Sequence, residues 1–129
     1  MKVLALVLAF ASFSAVASTH KVCAVAFNSL DRDYTSKLVI TAGTQYPDLN
    51  HVSVPTGGNW DNRISKVAVA QGCTFVGYQY QDFNVNYNTG RGTDGFALVL
   101  SNDSALSFKK TVLSTSNEKI SSVKCFCNN

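Results

Sequence analysis

Asp61-Asn62-Arg63-Ile64-Ser65-Lys66-Val67 returns 56 positions later as Asn117-Glu118-Lys119-Ile120-Ser121-Ser122-Val123. Both copies run polar oxygen, polar oxygen, basic, Ile, Ser, polar, Val, and both lead into alternating apolar residues. An internal repeat takes precedence over other signals because it can dictate the architecture. This one predicts two similar units, each with a polar arch at the entry to its last strand.

The residues around the arches read as short strands. Lys21 to Phe27 and Lys37 to Thr41 are runs of β-formers, and the turn-rich Asn28 to Tyr34 between them predicts a long folded hairpin. Ala42 to Asn50, with Gly43, Pro47 and Asp48, is expected as loop. His51 to Val54 is a brief alternating strand ended by Pro55, which has no donor for a ladder. Thr56 to Asn59 turns the chain into Trp60, expected as a core plug, and Ile64, Val67 and Val69 mark a fourth strand. The second half repeats the order. Cys73 to Tyr80 is a strand, Gln81 to Gly95 a polar loop, Phe96 to Leu100 a strand, and Leu106 to Val112 holds another before the second arch. Four strands followed by four, with turn signals at their boundaries, predict an all-β fold: a β-sandwich of two Greek-key motifs, about 20–70 and about 71–129. Antiparallel sheets with one wet face account for the alternation.

Residues 1–18 are expected to be a secretory signal peptide. Met1-Lys2 supplies the positive end, Val3 to Ala17 the apolar stretch, and Ala15-Val16-Ala17 a small-x-small cleavage site. The apolar stretch is short of the roughly 20 residues that span a bilayer, so no membrane span is expected. Residues 19–129 then make one domain. Without Lys2 the chain has ten basic and eight acidic residues, and Lys109-Lys110 is its sole adjacent basic pair. A nucleic-acid surface needs a concentrated basic face, which this pattern lacks. Cys23, Cys73, Cys125 and Cys127, an even count in an exported chain, predict two disulfides. Cys125 and Cys127 lie two apart on a strand and share a face, so each is expected to reach one of Cys23 and Cys73, with the pairing open. The Cys-x-Cys spacing and the lack of a nearby histidine argue against zinc.

The doubled pattern resembles the βγ-crystallin domain, built of two Greek keys, each with an aromatic folded hairpin and an arch (Asn/Asp)-(Asn/Asp)-x-x-(Ser/Thr)-Ser. The first arch departs from it at Lys66, where serine is usual, and the second at Glu118, where Asp or Asn is usual. The hairpin pattern Tyr-x4-Phe-x-Gly is met by Tyr78 and Phe83, with Val85 in the glycine position; in the first half Phe27 and Tyr34 stand two residues too far apart. The resemblance implies a calcium-binding protein whose arches exchange ligands. One implied site takes the Arg63 carbonyl, Ser65 and Glu118, and the other takes the Lys119 carbonyl, Ser121 and Asn62. A hairpin carbonyl near Asn28 or Gln79 would complete each. One such site has a single carboxylate and the other has none, so weak binding is expected, on the order of 10⁻⁴ to 10⁻³ M. The competing reading is that Asn62, Ser65, Ser121 and Glu118 only hydrogen-bond the arches.

No enzyme is expected. His20 and His51 are isolated, no cysteine is left as a nucleophile, and Gly-x-Ser-x-Gly is absent. Gly90 to Gly95 lacks the Lys-Ser/Thr of a phosphate loop and reads as a hairpin tip. Tyr78, Tyr80, Phe83 and Tyr87 either pack the hairpin or form a sugar platform, the former being the simpler role. Asn102-Asp103-Ser104 is a glycosylation sequon in a turn. The expected protein is secreted, disulfide-linked, non-enzymatic and monomeric, with calcium as its expected ion. The alternative is a secreted defence protein, toxin or inhibitor, like the killer-toxin antifungals of this fold, that binds an extracellular protein or glycan.

Overall fold

The computed structural model describes residues 21–28, 36–85 and 95–128. The expected signal peptide, residues 1–18, and His20, Tyr34, Tyr87 and the residues around Gly90 lie outside these residues.

Among the described residues eight strands carry the fold: β1 (Val22–Asn28), β2 (Lys37–Thr41), β3 (Gln45–Tyr46), β4 (Ile64–Ala70), β5 (Cys73–Tyr78), β6 (Ala97–Ser101), β7 (Phe108–Val112) and β8 (Ser122–Cys127). They form two antiparallel four-stranded sheets, ordered β2-β1-β4-β7 and β3-β8-β5-β6. Each half contributes three strands to one sheet and lends its third strand to the other. That exchange is the doubled Greek key predicted from the repeat.

Alternation sends one side of each strand into the core. In the first sheet Leu38, Ala26 and Val67 are cross-strand neighbours, as are Ile40, Ala24 and Val69, and all six are buried. The repeat is visible here as well, since Ile64 and Ile120, and Val67 and Val123, are all fully buried. Gly77 makes room for one of them: a Cβ there would lie 2.8 Å from Ile120 Cδ1. Trp60 is 1% exposed and fills the core as expected.

The third strand of the first half is not where the alternation placed it. Gln45 and Tyr46, read as loop, pair with Lys124 and Val123 of β8, whereas His51 to Val54 forms no ladder strand. Asp48 instead caps a 3₁₀ turn over Leu49–His51, its carboxylate accepting from the Asn50 N–H at 2.9 Å, and Leu49 is fully buried. Val54 then closes a tight turn on Gly57 and Gly58, and Trp60 N–H donates to the Val52 carbonyl at 2.9 Å. Two residues suffice for β3 because its role is to cross between sheets, which leaves too short a pattern to read.

Both disulfides form. Cys23–Cys125 joins β1 to β8, and so ties one sheet to the other; Cys73–Cys127 links directly opposed residues of β5 and β8. Among the described residues no cysteine is free, so no thiolate remains for a metal.

The sequon asparagine is not a surface residue. Asn102 is 0% exposed; its amide donates to the carbonyls of Val69 (2.9 Å) and Leu106 (3.0 Å), and its oxygen accepts from Ser104 N–H and Oγ. It organises the β6–β7 turn from inside, and the folded protein offers no room for a glycan there. No helix among the described residues is long and apolar enough to cross a membrane.

Candidate cation site

The two arches face each other and are bonded reciprocally. Asn62 N–H donates to the Ile120 carbonyl at 3.0 Å, and Glu118 N–H donates to the Ile64 carbonyl at 3.1 Å. Each second position thus reaches the fourth position of the other arch. Within the arches Arg63 N–H bonds the Trp60 carbonyl and Lys119 N–H bonds the Ser116 carbonyl, both at 3.2 Å. The fifth positions match too: the carbonyls of Ser65 and Ser121 accept from Leu113 and Leu49, at 2.8 and 2.9 Å. These equivalent pairs make a pseudo-twofold axis between the arches.

The second positions have left-handed backbones, with φ of 56° at Asn62 and 59° at Glu118. Asn and Asp enter that region at little cost, whereas other non-glycine residues cost more. This gives a backbone reason for Asn or Asp in the motif, and it marks Glu118 as the costly departure.

Side-chain oxygens converge on one flank. Ser121 Oγ donates to Asn62 Oδ1 at 3.4 Å. Both line a concavity of about 380 Å³ together with Asp61, Gln79, Gln81, Glu118 and Lys119. The Lys119, Ser121 and Asn62 grouping, expected to lack a carboxylate, therefore has the acidic residues Asp61 and Glu118 among those that line its concavity. Asp61 Oδ1 is buried without a hydrogen-bond partner, and so is Asn117 Oδ1, the equivalent atom of the other arch. Orphaned buried acceptors are uncommon, and each costs free energy. Asp61 went unassigned in sequence because the ligand pattern implied by the resemblance passes over the first arch position.

The other grouping is arranged differently. Ser65 is buried, and its hydroxyl donates to the Phe27 carbonyl at 3.4 Å. Arg63 turns its guanidinium away from the arch, Nη1 donating to the Gly57 carbonyl at 3.0 Å. Gly58 admits it, since a Cβ there would stand 2.6 Å from Nη2.

The hairpin of the second half holds the site's third wall. Tyr78 and Phe83 pack edge to face at 5.5 Å. Asp82, Phe83 and Asn84 are all left-handed, and Asn84 pins the bend by accepting from Tyr80 N–H and donating to Gly95 and Phe96 carbonyls. Val85 is right-handed at φ −58°, so glycine is not needed there. Ser122 Oγ, at the sixth arch position, accepts from Phe83 N–H (3.1 Å) and donates to the Tyr80 carbonyl (2.6 Å). Lys66 holds that position in the first arch and lies over the Phe27 ring, 4.5 Å from its centre.

Two sheets that exchange their third strands, with paired arches across a pseudo-twofold axis, define a βγ-crystallin-like domain. A solved βγ-crystallin domain from Flavobacterium johnsoniae is similar, with a TM-score of 0.53 and 22% identity over 83% of this chain and 97% of that one. The likeness is one of fold. No protein-family profile and no curated protein matches the sequence.

Proposed function

We propose that this is a secreted, non-enzymatic βγ-crystallin-like protein whose paired arches bind calcium weakly and are stabilised by it. Asp61, whose Oδ1 is buried and unpartnered, lines a concavity with Asn62, Ser121 and Glu118, and this carries the reading. Carboxylate, amide, hydroxyl and carbonyl oxygens are the donor set of a hard cation. Asp61, Asn62 and Ser121 would hold the ion with the Lys119 carbonyl, and Glu118 would add charge. Few carboxylates and a charge-poor rim keep the expected affinity in the extracellular range, about 10⁻⁴ to 10⁻³ M.

Thermal melts with calcium and with chelator test the proposal. At a calcium concentration ten times the dissociation constant the gain is about 1.4 kcal/mol, which raises the melting temperature by roughly 5 °C for a domain of this size. Ser65→Ala/Ser121→Ala is expected to lose most of that rise. Melting curves that ignore both calcium and the double substitution would retire the calcium proposal and leave the fold untouched. N-terminal sequencing of protein recovered from the medium tests secretion, with cleavage expected near residue 18.

A further inference from the structure

The outward side of the β2-β1-β4-β7 sheet is not the polar face that a solvated antiparallel sheet presents. The register lays it out in rows. Lys37, Phe27, Lys66 and Val112 are neighbours across all four strands, and Val39, Val25, Ala68 and Lys110 form the next row. Ala70 and Phe108 follow in a third. Val39 is 50% exposed, Phe108 42% and Val112 71%. Val25, Phe27, Val39, Ala68 and Phe108 line a shallow groove of about 350 Å³, edged by Lys37 and Lys110.

Charge on this face has one sign. The four strands carry Lys37, Lys66, Lys109 and Lys110 and no Asp or Glu. Lys66 and Lys37 both direct their ammonium groups at the Phe27 ring, at 4.5 and 5.9 Å. The other sheet also exposes apolar groups on its outward rows, Val99 at 60% and Phe126 at 49%, but sets them among Gln45, Thr74 and Ser101 with Lys124 as the one lysine of its strands, so the density of lysine distinguishes the β2-β1-β4-β7 face.

We propose that this face docks on an anionic phospholipid surface. An interface of that kind takes up apolar side chains and ammonium groups at nearly the same depth, with lysine stems lying along the apolar surface and their heads at the phosphates. Alternating Lys with Val, Phe and Ala over four strands meets that requirement, and the absence of carboxylates on the strands removes repulsion. The inference is independent of calcium binding in the arches.

Flotation of the purified protein with vesicles of phosphatidylcholine, alone or mixed with phosphatidylglycerol, tests it. Three facing lysines are expected to favour the anionic vesicles on the order of 100-fold at low salt. Lys37→Gln/Lys110→Gln is expected to lower that binding on the order of 30-fold, with an unchanged melting temperature. Val39→Ser/Phe108→Ser is expected to weaken binding to both vesicle types, and Lys124→Gln on the opposite sheet to leave it unchanged. Equal binding to neutral vesicles, indifference to the lysine pair, or retention by polyglutamate beads with no vesicle binding each overturns the proposal; the last outcome assigns the face to an acidic protein.

Discussion

Glu118 offers a sharp test of the arch geometry. Its φ is 59°, and its pseudo-symmetric partner Asn62 has φ 56°. The left-handed region costs an ordinary L-residue on the order of 1 kcal/mol, while Asn and Asp enter it routinely. Glu118→Asp and Glu118→Asn should therefore stabilise the chelator-treated protein by about 0.5 to 1 kcal/mol. For a domain near 110 residues this is a melting-point rise of roughly 2 to 4 °C. Glu118→Gly relieves the same backbone but frees the unfolded chain, so its gain is smaller. Glu118→Gln keeps the side-chain length and the backbone cost, and should melt close to wild type. The assay is thermal unfolding followed by circular dichroism, first in chelator and then in calcium. In calcium the gain of Glu118→Asp should widen, because the carboxylate is kept on a shorter arm, whereas that of Glu118→Asn should not. Melting at or below wild type for Asp, Asn and Gly alike, or a rise for Gln equal to that for Asp, would refute the backbone reasoning.

Three further outcomes follow from the interior. Asn102→Ala strands the carbonyls of Val69 and Leu106 and empties the β6–β7 turn; with each buried orphan costing about 1 to 3 kcal/mol, urea unfolding should show a loss of about 2 to 6 kcal/mol. Intact-mass measurement of protein secreted from a glycosylating cell should find Asn102 bare, and a glycan there on folded protein would contradict its burial. Cys73→Ser/Cys127→Ser opens a loop of sequence separation 54 and should cost about 4 kcal/mol on the chain-entropy account, read from the urea midpoint at constant slope. A loss under 1 kcal/mol would show that the ladder holds these strands without the bridge.

The doubled Greek key was legible because the arch repeat coincides with buried positions: Ile64 and Ile120, Val67 and Val123 occupy equivalent core sites. Long strands with clean alternation, such as β2, were also readable, since Leu38 and Ile40 point in while Lys37 and Val39 point out. β3 was not, because two residues carry no period and its place is set by pairing with β8. His51 to Val54 alternates without being a strand, since the Asp48 cap and the Gly57-Gly58 turn claim its backbone groups. In the site, the grouping of Asn62 with Ser121 was implied by the family resemblance that the repeat carries, and the two side chains do meet. The orphaned oxygen of Asp61 could not be inferred, because burial without a partner is a property of the folded arrangement alone. Asn102 misled for a related reason: a sequon and an internal turn brace have the same letters.

The two arches have diverged in a way that links the cation site to the sheet face. At the sixth position Ser122 uses its hydroxyl to tie the Tyr80–Phe83 bend to β8. In the first half Lys66 replaces the serine. An ammonium group donates hydrogen bonds but accepts none, so Lys66 cannot take the N–H of a bend as Ser122 does. Its position on β4 points outward, where it lies over Phe27 and between Lys37 and Val112 in the cross-strand row. The substitution that breaks the arch pattern is thus the one that completes the cationic row. Position six differs in burial between the halves: Ser122 is fully buried and bonded to the Tyr80–Phe83 bend, while Lys66 is half-buried on the outward side of its sheet. On this account the second half keeps a serine brace on its bend, and the first carries a lysine over Phe27 at the equivalent position. One doubled chain thereby supports an oxygen-lined concavity between its two arches and an apolar, cationic face on the sheet that β7 completes.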